Sequence, residues 1–200
     1  MVDTRTERLL EFVKERGLVR AREAEAAGYP TALLYRLRDR GDLEQVGRGL
    51  FRHPEAEITE WHSYAEAVKL VPAGVVCLLS ALVFHGIGTQ NPWQIWMALE
   101  KGKQRPRSPV LPLKIVWFSG DAMREGVETH RIEGVDVRVF GPAKTVADLF
   151  KFRNKVGVDV AVEALREGWE RRLFTADELM RFAKICRVQR VMKPYLQAIA

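Results

Sequence analysis

Six residues between positions 31 and 52 have the types and spacing to grip and read a nucleic acid. Thr31, Tyr35, Arg36 and Arg38 fall in the run TALLYRLRDR, whose Leu33, Leu34 and Leu37 cluster within about 100° of a helical wheel. That apolar stripe predicts a helix buried on one side, with hydrogen-bonding side chains on the other that can reach base edges and phosphates. Arg48 and Arg52 follow in LEQVGRGLFR, which reads as two short strands joined by Gly47-Arg48-Gly49. A glycine turn tipped by arginine has the chemistry of a wing: the backbone passes close to the duplex and the guanidinium holds phosphate or enters a groove.

Catalytic chemistry would leave a different signature. The four histidines, at positions 53, 62, 85 and 130, are scattered, and none pairs with Cys, His or a carboxylate at metal-ligand spacing. Ser80 and His85 share one short predicted helix at i, i+5, too far around it to act together. Asp121 and Asp136 lack the acid-x-lysine partner that a metal-dependent nuclease needs. Asp148 follows Lys144-Thr145 in a predicted helix, where a buried cap or ion pair is its natural role. The sequence therefore points to no enzyme, metal or cofactor, and to no small-molecule substrate.

The elements that would position the DNA-reading residues come in a consistent order. Leu9, Phe12 and Val13 mark a first helix closed by Gly17, and an alanine-rich second helix spans about 20–27. Gly28-Tyr29-Pro30 supplies a turn, and Thr31 is placed to cap the third helix. Helix, helix, turn, helix and hairpin within about 54 residues predict a winged helix-turn-helix. A polar connector ends near Glu60. Beyond it, residues 62–200 read as α+β: a helix over 62–71, β-rich runs at 93–99 and 113–118, a hairpin around Glu133-Gly134, and helices from Pro142 onward.

Charge supports a polyanionic partner only locally. The chain carries a net +6, yet residues 1–55 hold 11 Lys/Arg against 10 Asp/Glu. Residues 31–53 hold five arginines against three acids. A second basic stretch, Lys101, Lys103, Arg105 and Arg107, lies in a loop between β-rich runs, and reads either as a solvated tip or as a contact for DNA or an acidic partner. The weak charge of the first module leaves a second reading open, in which the winged helix binds a protein and not DNA. No apolar run reaches the ~18 residues of a membrane span, no signal peptide is evident, and the two isolated cysteines suit a reducing compartment. A cytoplasmic location follows as the expectation.

With these residues in place, the sequence resembles the AbiEi family, antitoxins of type IV toxin–antitoxin systems. The resemblance rests on Leu43, Val46, Arg48, Gly49, Leu50, Phe51 and Arg52, then Ser80-Ala81-Leu82 with His85-Gly86. It continues through Pro142, Lys144, Thr145 and Asp148, Lys151 to Lys155 with Gly157, Ala164-Leu165 and Pro194-Tyr195-Leu196. The resemblance implies a winged helix that binds double-stranded promoter repeats and represses its own operon. It implies a C-terminal antitoxin domain that counters a nucleotidyltransferase-like toxin, without requiring a stable complex. The expected fold class is α+β: a winged helix-turn-helix over 1–54, then a small mixed sheet domain over 62–200 with a helical C-terminal third.

Overall fold

The computed structural model describes residues 4–104 and 111–199; Arg105 and Arg107, named above as basic loop residues, lie outside the described residues. Contacts divide the chain into one unit of Met1–Leu70 with Arg131–Val137 and another of Val71–His130 with Arg138–Ala200.

The first unit begins with α1 (Thr4–Arg16). Gly17 ends it with φ +63°, in the left-handed region that glycine occupies without steric cost. Strand β1 (Leu18–Arg20) follows, then α2 (Ala21–Ala26), α3 (Thr31–Asp39), β2 (Glu44–Gly47), β3 (Leu50–Arg52) and α4 (His62–Leu70). The three strands form an antiparallel sheet in the order β1-β3-β2. Leu9, Val13, Val19, Ala24, Leu34 and Phe51 lie at its core, joined by Leu33, Leu37 and Leu43. Each fully buried leucine here contributes about 1.5–3 kcal/mol, so α3 is fixed by its predicted stripe.

The second unit is built on β4 (Val75–Val76), α5 (Leu78–His85), β5 (Ile95–Glu100), β6 (Leu113–Phe118), α6 (Asp121–Arg124), β7 (Val127–Ile132) and β8 (Val135–Phe140). Helices α7 (Pro142–Lys151), α8 (Arg153–Val156), α9 (Val158–Glu170), α10 (Ala176–Ile185) and α11 (Gln189–Ile199) complete it. The sheet runs β6-β5-β4-β8-β7 and is mixed: β4 pairs antiparallel with β5, while β5–β6 and β4–β8 are parallel. The turn Glu133-Gly134 takes φ of +48° and +75°, as a tight two-residue hairpin turn requires. Its tip is grouped with the first unit. The chain is thus α+β, with a winged helix, a small mixed sheet and a helical C-terminal third.

Helix α7 is the centre of the second core, with every residue from Ala143 to Phe150 buried. Two of them are charged. Lys144 donates to Asp148 one turn on, both fully buried, and the ammonium lies 4.0 Å from the Phe140 ring centroid. The Cys186 thiol donates to the other Asp148 oxygen at 3.1 Å. Burial pushes the Asp148 carboxyl up, opposed by Lys144. Burial, and then the charge of Asp148, push the Cys186 thiol up to about 12.

Candidate nucleic-acid interface

Three contacts hold α2, α3 and the hairpin as one surface. The Ala21 N–H, at the start of α2, donates to Gly49 O at 2.8 Å. Arg38 Nη1, on α3, donates to Gln45 Oε1 on β2 at 2.6 Å, and the Gln45 amide donates to Gly47 O at 3.0 Å. The tip between β2 and β3 is only Arg48-Gly49, with Gly49 at φ +64°. A bulge between Gln45 and Gly47 precedes it, which twists the strand leading into the tip.

On this surface the six arginine, tyrosine and threonine candidates divide. Arg36 and Arg48 are exposed and make no ion pair or hydrogen bond among the described residues, so their guanidinium groups are free for an anionic partner. Thr31 occupies the first turn of α3, with Pro30 as the N-cap in its place. Tyr35 is half-buried, its ring edge-on to Phe51 at 5.3 Å. Arg38 is half-buried over the Tyr35 ring at 4.9 Å and held by Asp39 and Gln45, so it positions the hairpin beside α3. Arg52 is paired with Glu44 across the β2–β3 register, its side chain only 15% exposed. It is a strand-bracing residue in this geometry. Lys101 and Lys103 are exposed just beyond β5, in the second unit.

Sequence reasoning passed over Arg22. It lies exposed in the first turn of α2, the helix whose first residue, Ala21, is tied to the wing turn. Its charge acts on Arg20: burial first, and then Arg22, hold the Arg20 guanidinium below its ordinary value. The signal that would have found it is β1, because pairing of Leu18–Arg20 with β3 is what brings the start of α2 beside the hairpin.

No large apolar side chain is exposed on α2, α3 or the hairpin; those that are exposed among the described residues are Ile58, Trp93, Trp117 and Val158. A protein-docking face would be expected to show an apolar patch at this place.

His85, Ser80 and Glu133 are each held by internal hydrogen bonds. His85 Nε2 donates to Phe140 O at 2.8 Å, and burial lowers its pKa despite that bond. Ser80 Oγ accepts from the Trp96 N–H at 2.9 Å. Glu133 accepts from the Thr59 N–H and hydroxyl and meets His62 Nδ1 at 2.6 Å. Burial raises the Glu133 carboxyl, but these partners outweigh it and hold the group below its ordinary range. Among the described residues no group of three His, Cys, Asp or Glu is placed to hold a metal, and no helix is long and apolar enough to cross a membrane.

Two helices meeting at a turn, a two-strand wing and free arginines on α3 and at the tip define a winged helix-turn-helix. Residues 7–54 match the family model described as a transcriptional regulator, AbiEi antitoxin. The chain is similar in fold to a solved structure, the RV2827C protein from Mycobacterium tuberculosis, with a TM-score of 0.57 and 14% sequence identity. That likeness covers 92% of this chain and 72% of the other. No curated protein matches the chain.

Proposed function

We propose that this chain is a DNA-binding transcriptional regulator and antitoxin. A winged helix over residues 1–54 binds repeated sequences in the promoter of its own operon and represses it, and a domain over 62–200 counters a nucleotidyltransferase-like toxin in the cytoplasm. The observation that carries the DNA reading is the pair of unpartnered arginines, Arg36 on α3 and Arg48 at the wing tip, on elements clamped together by Ala21–Gly49 and Arg38–Gln45. A rigid scaffold that leaves two guanidinium groups unpaired is suited to phosphate and base-edge contacts. The family match over residues 7–54 supports the regulatory half of the reading, and the toxin follows from the AbiEi resemblance alone. No stable complex with that toxin is required.

The near balance of 11 basic and 10 acidic residues over 1–55 favours a second reading, in which the winged helix contacts a protein. A mobility-shift titration separates the two. The purified protein is titrated against its own upstream promoter fragment and a scrambled fragment, at two salt concentrations. Tighter binding to the promoter, abolished by Arg36→Ala with Arg48→Ala, is the expected result. Equal or absent binding to both fragments would overturn the DNA reading and favour the protein contact.

A further inference from the structure

The second unit contains a cleft lined by residues outside the winged helix. It encloses about 330 Å³ between the loop entering β4, the end of β5, α6 and the start of β7. Ligand sites commonly run from about 300 to 1,000 Å³, so this one suits a compound near the lower limit. Its floor is apolar, formed by Val75, Met123 and Val127. Lys103, Arg124 and Arg138 also line it, against a single acid, Glu100.

Each of the three cations keeps donors that the protein does not use among the described residues. Arg138 Nη2 donates to both Pro72 O (2.7 Å) and Gly74 O (3.0 Å), which fixes the guanidinium plane. Its other N–H groups make no hydrogen bond among the described residues. The Lys103 ammonium makes no ion pair there either. Among the described residues Arg124 meets only Asp121, at 3.1 Å with both side chains largely exposed, a pairing too weak to hold it back from a better anion.

An immobilised arginine beside two available cations suits a phosphate, since charge-assisted bonds to a fixed fork are the strong ones. Glu100 would repel a second anionic group but accept from an amino or hydroxyl donor. An apolar planar body fits the floor. We infer that this cleft is a binding site for a small organic phosphate of mononucleotide size, and hence an effector site separate from the winged helix. The inference does not depend on the DNA-binding reading, which rests on residues of the other unit.

Calorimetric titration of the full chain with AMP, adenosine and inorganic phosphate tests it. AMP is expected to bind saturably, one per chain, with adenosine silent and inorganic phosphate weaker by about tenfold or more for want of the floor. Lys103→Gln with Arg124→Gln, both exposed and away from the core, should weaken AMP by about tenfold or more. Arg138 is left intact because it braces the β4 loop. The Arg36→Ala, Arg48→Ala protein should bind AMP as the parent does. No saturable AMP binding, equal binding of adenosine, or indifference to the Lys103/Arg124 pair each overturns the site. So does AMP binding that disappears with Arg36 and Arg48, which would place the nucleotide on the DNA surface.

Discussion

The backbone N–H of Ala21 donates to the carbonyl of Gly49 at 2.8 Å, fastening the wing turn to the first turn of α2. A two-residue tip has little reach of its own, so this bond sets where Arg48 points. On the proposed DNA-binding reading, a tip held there offers Arg48 to phosphate and not to base edges. Replacing Arg48 by alanine should weaken DNA binding to promoter and scrambled fragments alike and reduce the salt slope of log K by about 1. A salt titration that gives the same slope for parent and variant would remove Arg48 from the interface.

Arg36 is exposed on α3, flanking the buried stripe of Leu33, Leu34 and Leu37. Its substitution should act differently. Arg36→Ala is expected to cost about 1–3 kcal/mol on the preferred promoter sequence and much less on the scrambled one, relaxing specificity at one base position. Binding assays on single-base promoter variants give the readout. A uniform loss on all sequences would make Arg36 a second phosphate contact.

Arg52 separates sequence expectation from geometry. It is paired with Glu44 on the neighbouring strand and is only 15% exposed. Arg52→Ala should therefore lower unfolding stability, by about 1 kcal/mol, and leave the salt slope of DNA binding at the parent value. Denaturant unfolding and the salt titration, run side by side, decide it. A changed slope with unchanged stability would return Arg52 to the DNA surface.

How far the sequence could be read follows from what each element depends on. The leucine stripe of α3, the glycine turn of the wing and the Glu133-Gly134 hairpin are local patterns, and each is present in the fold. Strand β1 is three residues long and helix α6 four, too short for a hydrophobic period to register. The parallel β4–β8 pairing joins Val76 to Val139, a relationship between distant residues that no local pattern encodes. The fate of Arg38 and Arg52 was hidden for the same reason: Gln45 and Glu44 become their partners only when β2 turns back beside α3 and β3. Arginine type and spacing identified the candidate surface, but pairing across the sheet decided which arginines remained free on it.

The Lys144–Asp148 pair lies fully buried beneath the aromatic rings of Phe140 and Phe118. Removing one partner strands the other charge in the core. Lys144→Met alone should cost about 3–5 kcal/mol, whereas Lys144→Met with Asp148→Leu should recover most of that loss. Chemical denaturation of the three proteins measures it. A double variant as unstable as the single one would mean that the Cys186 thiol bond to Asp148, and not the ion pair, dominates the site.

Glu133 gives the protein an acid-sensitive contact. Its carboxylate accepts from Thr59 twice and meets His62, and these partners hold its pKa below the ordinary range despite burial. A carboxyl depressed on folding adds stability that is complete above its unfolded value, about 4.3, and is lost as pH falls through the lower folded value. Glu66 opposes this. Burial raises its pKa, so its contribution to stability falls as pH rises from the unfolded value through the raised one. The two windows meet near the unfolded value: stability falls below it through Glu133 and above it through Glu66, so a loss on the acid side of the ordinary glutamate range belongs to Glu133. Glu133→Gln removes the first term and keeps a hydrogen-bonding side chain of the same size. The variant should be less stable than the parent at pH 7 and converge on it as pH falls below the ordinary glutamate range, in thermal melts across those pH values. Parallel curves, with the gap unchanged at every pH, would show that the charge on Glu133 plays no part in holding Thr59 and His62.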